Sequence, residues 1–304
     1  MLLDYYLNTL NYHAMPSFLV KYLACPSLIR LKDIGYFCGM DYASKDIYNF
    51  RDLITRYDHS LTTALLIYKL TNDKTMTVSG LFHDISTPAF SHVIDYMNKD
   101  YEAQESTEEY TEYILKEDLY FKKCLEEDNI NIDDIINFKK YPIVDNSRPK
   151  LCADRLDGVI LTGIGWTKNV ERKDINNIIE DLTIFTNEDN EYEIGFKSYD
   201  IAKKVIGVSK SIDIYCHSNE DNYMMELLAK ITRLAINNNF ITYNDLYSYP
   251  EAVLFNIFKN SNNNEMINLL HTFQTIQKED IPEIKLDKVK VRALYPIVNG
   301  KRIK

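Results

Sequence analysis

The stretch Leu81-Phe82-His83-Asp84-Ile85-Ser86-Thr87-Pro88-Ala89-Phe90-Ser91-His92-Val93-Ile94-Asp95 decides how this chain is read. It holds two of the six histidines and two aspartates, all between positions 83 and 95. An adjacent His-Asp pair, followed by a His and an Asp three apart, concentrates metal-ligand and acid–base chemistry. Thr77 to Phe82 reads as a helix leading into His83-Asp84. Ser86 or Thr87 is then placed to cap a new helix, with Pro88 in its first turn. That second helix carries Phe90, Val93, Ile94 and Met97 on its apolar side.

Working outward, Leu61, Ala64, Leu65 and Tyr68 have helical spacing, so residues 58–71 read as a helix with His59 in its first turn. Residues 4–50 read as short helices punctuated by Pro16, Pro26, Gly35 and Gly39. Among them Leu28 to Ile34 is expected to be amphipathic, capped by Ser27 and stopped at Gly35. Residues 102–117 read as a polar, Glu-rich helix and 118–140 as two shorter ones. The loop Asp145 to Pro149 opens a helix carrying Asp154, and Gly158, Gly163 and Gly165 weaken its end. Leu182 to Thr186 and Tyr192 to Phe196 flank a polar turn and read as a β-hairpin. Helices are expected again near 198–215, 220–238, 250–259 and 264–276. The alternating run Lys288 to Leu294 reads as a strand. The expected class is therefore all-α, mainly helical, with a small β-hairpin and a C-terminal strand. No internal repeat or low-complexity linker divides it. One domain over 1–304 is expected, with a catalytic helical core at about 20–165 and a helical and hairpin part at about 166–304.

Composition agrees with this class. Hydrophobic residues make up 45% and charged residues 26%, ordinary for a globular chain with a sizeable core. Only 9 glycines and 8 prolines mark turns, which favours long helices over many short strands. The net charge of −10 gives no basic stripe outside Lys285 to Lys304, so duplex nucleic acid is not an expected partner. The five cysteines form no CxxC pair, which argues against a structural zinc site. The first residues show neither a basic n-region nor a long apolar run. No signal peptide and no membrane partner are therefore expected, and a cytoplasmic location with reduced thiols is.

The chemistry follows from residue types. A phosphate ester repels nucleophiles, and a divalent metal offsets that charge while lowering the pKa of bound water. His59, His83, Asp84 and Asp154 offer imidazoles and carboxylates suited to one Mn, Fe, Co, Ni, Zn or Mg ion. Neighbouring positions diverge by about 100° on a regular helix, so His83 and Asp84 reach one ion most easily at a helix end. His59 and Asp154 then come from other helices of a bundle. His92 and Asp95 share a helix face and make a candidate acid for the leaving oxygen. Arg56 is placed to hold a phosphate bidentately. Each has a plainer reading taken singly: a structural hydrogen bond for His92–Asp95, a surface ion pair for Arg56, solvated helix positions for Asp154 and Asp157. His13, His217 and His271 read as buried histidines bonded to backbone carbonyls.

The order of these pieces resembles the HD-domain metal-dependent phosphohydrolases, whose signature is H…HD…D. Within them the chain looks like the branch of deoxynucleoside triphosphate triphosphohydrolases. Arg30 to Ile34 resembles the start of "RLRRIRQLG", and Thr55 to Leu61 is similar to "TRFEHSLGV". Leu81 to Asp95 looks like "LLHDIGHGPFSHVFD", Ala153 to Asp157 like "VDRLD", and Lys290 to Pro296 like "KVRxIDP". The resemblance implies a helical fold and one metal on His59, His83, Asp84 and Asp154. It also implies phosphate chemistry at His92–Asp95 and a phosphate contact at Arg56.

The departures bear on the substrate. Thr87 stands where that branch usually has another His, and Glu102 where "HEQGS" has its His. Tyr36 replaces a Gln. Gly158 and Thr162 replace a Tyr and an Asp that help hold the sugar. The expected activity is hydrolysis of a nucleotide or small phosphoester. The alternatives are a phosphodiesterase of cyclic mono- or oligonucleotides and a catalytically degenerate nucleotide-binding regulator. A homo-oligomer is expected by analogy.

Overall fold

The computed structural model describes residues 1–101, 110–284 and 290–303. Fifteen α-helices and a four-stranded sheet make the described residues mainly helical, 60% in all. The N-terminal part supplies α1 (Leu2–Thr9), α2 (Ser17–Tyr22) and α3 (Pro26–Ile29). The central helices are α4 (Arg56–Thr71), α5 (Lys74–Phe82) and α6 (Val93–Asn98). There follow α7 (Thr111–Glu117), α8 (Leu119–Asp128), α9 (Ile132–Ile136), α10 (Ala153–Gly165) and α11 (Arg172–Asp181). After the hairpin come α12 (Tyr199–Cys216), α13 (Asn219–Asn237), α14 (Glu251–Lys259) and α15 (Asn264–Thr275).

Helix α4 is the axis. Thr55 and Asp58 close a capping box at its start, each side chain bonding the other's backbone N–H. Every residue from 59 to 67 is buried. A helix buried on all faces belongs at the centre of a bundle, and α4 packs against both α5 and α10. Thr62 and Thr63 are fully buried along with the leucines. A polar hydroxyl inside a core needs a partner, and the Thr62 hydroxyl lies 2.9 Å from the carboxyl of Asp157 on α10.

The hairpin is β1 (Leu182–Thr186) and β2 (Tyr192–Phe196), antiparallel with Ile184 opposite Ile194. Strand β3 (Ile297–Val298) joins β2 in parallel, and β4 (Lys301–Arg302) closes an antiparallel turn on β3. Asn299 and Gly300 carry φ of 47° and 77°, the left-handed pair that a two-residue hairpin turn requires. Arg302 donates to the fully buried Glu193 at 2.8 and 2.9 Å, and Glu193 also accepts the Leu151 N–H just before α10. The segment 297–302 is thus tied to the loop that opens α10.

Several expectations need correction. Helix α3 begins at Pro26 with Cys25 as its cap, so Ser27 lies inside it, and Arg30–Asp33 continues as a 3-10 turn. Gly35 forms an isolated bridge to Thr55 instead of ending a helix. Helix α6 starts at Val93, five residues beyond Pro88, because the chain makes a tight turn first. Of the run Lys288 to Leu294, residues 288 and 289 lie outside the described residues. The remainder is not strand: the Lys290 N–H bonds the Tyr101 carbonyl and the Arg292 N–H bonds Asp213. Half of the Glu-rich segment, residues 102–109, also lies outside the described residues. His13, His217 and His271 are not buried, and of the three His217 bonds a backbone carbonyl, that of Asp213. Helix α11 carries no sequence expectation.

The glycines of α10 weaken helix propensity but permit close packing. A Cβ on Gly163 would come within 2.4 Å of Val170 Cγ2 and 3.2 Å of Val170 Cβ. Ala is favoured over Gly in a helix by about 1 kcal/mol, whereas overpacking a core costs about 1–3 kcal/mol. Gly163→Ala is therefore expected to lower stability, read as a lower urea midpoint with an unchanged m-value.

Candidate active site

The side chains of His59, His83, Asp84 and Asp154 converge on one cluster, and His59, Asp84 and Asp154 also line a cavity. His59 stands in the first turn of α4, His83 at the C-cap of α5, Asp84 one residue on, and Asp154 in the first turn of α10. Candidate ligand atoms of His59, His83 and Asp154 all lie within 4.8 Å of one another. His59 Nε2 is 3.1 Å and His83 Nε2 3.5 Å from Asp154 Oδ1. Asp84 completes the ring, with an oxygen 3.8 Å from Nε2 of each histidine.

Both imidazoles are fixed by their other nitrogen. His83 Nδ1 is 2.7 Å from the Gly80 carbonyl. A carbonyl can only accept, so Nδ1 carries the proton. His83 Nε2 is buried and has no hydrogen-bond partner among the described residues. His59 Nδ1 donates to Asp157 Oδ2 at 2.7 Å. Asp157 is fully buried and also receives the Tyr6 hydroxyl at 2.7 Å, so α1 braces the same group. A ligand imidazole backed by a carboxylate or carbonyl is the usual outer shell of a metal site. The donor set and the unpartnered Nε2 both fit a divalent cation.

The electrostatics point the same way. Burial disfavours charge on His59, but hydrogen bonds with Asp154 and Asp157 outweigh it and raise its pKa to about 10. His83 is raised despite burial, by Asp84 first and then Asp154. Burial opposes ionisation of Asp154, yet the two histidines hold its carboxyl well below the usual carboxylate range. Asp84 is also lowered, by His83 and Arg56 against its burial. Four groups thus stabilise one another in charged form, and a cation would take over the role of the protons. A second cluster joins Asp154 to Asp145 and Cys152. Burial pushes the Cys152 thiol up to about 12, so it is a neutral group, and Asp145 is shared with Arg155.

The turn after the pair is held from four sides. Arg30 donates to the carbonyls of Ile85 and Thr87 at 2.9 and 2.7 Å. Arg56 bonds Asp84 at 2.9 Å and the Ser91 hydroxyl at 3.1 Å. The Ala89 N–H donates to the Leu246 carbonyl. The Phe90 N–H donates to Glu251 at 2.8 Å. Phe90 and Ser91 adopt φ of 64° and 45°, a conformation costing about 1–2 kcal/mol per residue. Full burial of Phe90 against Phe255 offsets this with about 1.5–3 kcal/mol. The turn delivers His92 as the N-cap of α6, its Nδ1 2.9 Å from the fully buried Asp95.

The cavity is about 620 Å3 and is lined at this end by Arg56, His59, Asp84, His92 and Asp154. It extends to an aromatic end formed by Phe37, Tyr48, Phe50 and Trp166. Gly158 and Thr162 line the wall between. A Cβ on Gly158 would lie 3.0 Å from the Tyr36 hydroxyl. The two departures at 36 and 158 are therefore a matched pair, the ring at 36 occupying space over the glycine. Tyr36 also lies beneath the Arg56 guanidinium at 4.9 Å and beside the His59 ring at 5.2 Å.

Residues 56–159 match the model of the HD domain. The mainly helical architecture is consistent with an HD-domain fold. The chain is 26% identical over 253 residues to the uncharacterized protein YdhJ of Bacillus subtilis, covering 81% of this chain and 74% of that one. It is also 26% identical over 136 residues to the metal-dependent phosphohydrolase cns2 of Cordyceps militaris. That match covers 43% of this chain and 37% of the relative. The HD domain and this distant relative together support a metal-dependent phosphohydrolase. The matched segment contains His59, His83, Asp84, His92, Asp95, Asp154 and Asp157, but Tyr6, Trp166, Glu251 and Arg292 lie outside it.

Sequence reasoning misses three contributors. Asp157 reads only as a solvated position, although its i,i+3 spacing from Asp154 puts both on one helix face. Tyr6 and Glu251 give no local signal, because their partners lie 151 and 161 residues away.

Two outcomes are expected. Asp157→Asn keeps the shape but replaces one of the two acceptor oxygens shared by Tyr6, Thr62 and His59 with a donating NH2 group and removes the charge. It should weaken Mn affinity by roughly 10–100-fold in equilibrium dialysis, with His83 and Asp154 intact. Glu251 governs a pH effect. Burial pushes its carboxyl from 4.5 up to about 8, with Asp41 acting in the same direction and Arg56 in the opposite one. Between those values the native state binds the extra proton, so stability falls as pH rises through that window. Asp41 and Asp221, each pushed to about 6 by burial, add to the lower part of the fall. Glu251→Gln should flatten stability between about pH 6 and 8, measured as the slope of the urea midpoint against pH.

Proposed function

We propose that this chain hydrolyses a small phosphorylated substrate, with a nucleotide as the first class to test, at one divalent metal held by His59, His83, Asp84 and Asp154. The observation that carries the reading is the buried Nε2 of His83, which makes no hydrogen bond among the described residues and lies 3.5 Å from Asp154 and 3.8 Å from Asp84. The bound ion would neutralise phosphate charge and supply a water of lowered pKa. Manganese, iron, cobalt, nickel, zinc and magnesium all suit this donor set.

The chain's own residues supply the remaining roles. Arg56 is held by Asp84, Ser91 and the Tyr36 ring, so its positive charge is fixed at the cavity wall before substrate arrives. That preorganisation lets it orient a phosphate oxygen at little reorganisation cost. His92 lines the cavity with Nδ1 fixed by Asp95, which leaves Nε2 to carry a proton to the leaving oxygen. The wider cavity suits an anion. Six lysines and arginines line it against four aspartates, on a chain of net charge −10. The aromatic end offers an apolar wall of mutually packed rings against which a nucleobase would lie. The continuity of this cavity from α4 to α13 supports treating the chain as one catalytic unit.

A panel of nucleoside mono-, di- and triphosphates and cyclic nucleotides, assayed with Mn, Co, Ni and Mg, tests the reading. Turnover should drop by at least about 10³-fold in a protein carrying His83→Ala and Asp84→Ala, in the range set by removal of metal-assisted chemistry. Undiminished turnover in that protein would sink the mechanism. Stoichiometric metal without turnover on any member would favour a regulator.

A further inference from the structure

The matched HD segment accounts for one end of the cavity. The other side is built partly from residues 290–295. The backbone at Lys290 to Tyr295 is fixed at three points: the Lys290 N–H on Tyr101, the Arg292 N–H on Asp213 and the Tyr295 N–H on the Pro149 carbonyl. These bonds bring Lys290 and Arg292 to line the same cavity as Arg148, from the loop that opens α10.

We propose that Arg148, Lys290 and Arg292 form a second anion site in this cavity, so that the substrate carries a further phosphate or equivalent anionic group beyond the one that is cleaved. The inference rests on the preceding reading only in taking this cavity as the place where substrate sits.

Three observations support it. The first is the arrangement of charge. Arg148 stands in the loop that opens α10, the helix with Asp154 in its first turn, and the Tyr295 N–H bond to Pro149 holds 290–295 against that loop. The backbone of Arg292 is held on α12, its N–H on Asp213 and its carbonyl accepting the Ser209 hydroxyl. All three cations line the cavity that Arg56, His59 and Asp154 also line. The second is the lack of compensation at Arg148, an exposed residue of the cavity lining that makes no ion pair or side-chain hydrogen bond among the described residues. The neighbouring Arg155, by contrast, is held by Asn146 and Asp145. The third is crowding. Partial desolvation and the charges of Arg155 and Arg292 lower Arg148 to about 10, and burial with Arg148 and Arg292 lowers Lys290. Like charges gathered in a partly desolvated cavity are relieved by a bound anion. Asp221 opposes Arg292 but is itself pushed toward its neutral form by burial, to about 6.

The test is calorimetric titration of the full chain with inorganic pyrophosphate in EDTA, with inorganic phosphate as reference. Pyrophosphate should bind one to one, more tightly than phosphate, and more weakly as salt is added. Arg148→Ala breaks no ion pair or side-chain hydrogen bond among the described residues and should weaken binding by roughly tenfold, the loss of one charged hydrogen bond. Lys290→Ala should do the same, and Arg292→Lys should weaken it by less than Arg292→Ala. The protein with His83→Ala and Asp84→Ala should keep its pyrophosphate affinity within about threefold, because one charged contact alone accounts for about tenfold. Absent binding in the wild type, unchanged affinity in all three single alanine variants, or loss of binding in the His83/Asp84 protein would overturn the proposal. Binding as expected, together with no turnover on any substrate, would leave this site standing and remove the hydrolase reading.

Discussion

Three side chains donate hydrogen bonds to the carboxyl group of Asp157, and the geometry of the site follows from that arrangement. Tyr6 brings α1, Thr62 and His59 bring α4, and Asp157 itself belongs to α10. A fully buried carboxyl group is costly unless its oxygens are satisfied. Satisfying it here requires α1, α4 and α10 in one relative position. Once they are so placed, His59 and Asp154 face each other with little freedom. The His83 end of α5 reaches the same point because α5 packs on α4. The imidazoles are held through Nδ1 by Asp157 and the Gly80 carbonyl, which leaves each Nε2 with a fixed direction.

The second constraint is the turn between His83 and His92. A continuous helix would have carried His92 to a position set by helix geometry alone. Instead two residues with left-handed backbone reverse the chain, held by Arg30, Arg56 and Glu251. The strain is local, and the bonds that offset it come from α14, from the start of α4 and from the N-terminal helices. The His83-Asp84 pair and the His92-Asp95 pair are thereby separated in space within one short stretch of sequence. Arg56 links the halves, since it bonds Asp84 on one side of the turn and Ser91 on the other.

Charge is distributed against the chain's average. An acidic protein surrounds a cavity in which lysine and arginine outnumber aspartate. Net charge describes long-range behaviour, whereas a site with low-dielectric walls responds to its nearest charges. The aromatic end adds an apolar surface, and the Tyr36–Gly158 pairing reshapes the wall between the two ends.

The helices and the hairpin were legible because local patterns produce them: apolar spacing, the Thr55–Asp58 capping box and alternation across 182–196. The clustering of His59, His83, Asp84 and Asp154 was legible too, because these residues occur in order at helix ends. What local sequence could not show was any partnership over a long chain distance. Asp157 with Tyr6, Glu251 with Phe90, and Arg148 with Lys290 and Arg292 become neighbours only after folding. The start of α6 departs from its local signal for the same reason, since its turn is held by residues far away in the chain. Sequence alone determined the class of fold and the atoms offered to a metal, because propensity and residue type are local. Tertiary structure alone decided how those atoms are aimed and what charge faces them, because burial and Coulomb energy depend on every element that packs around the cavity.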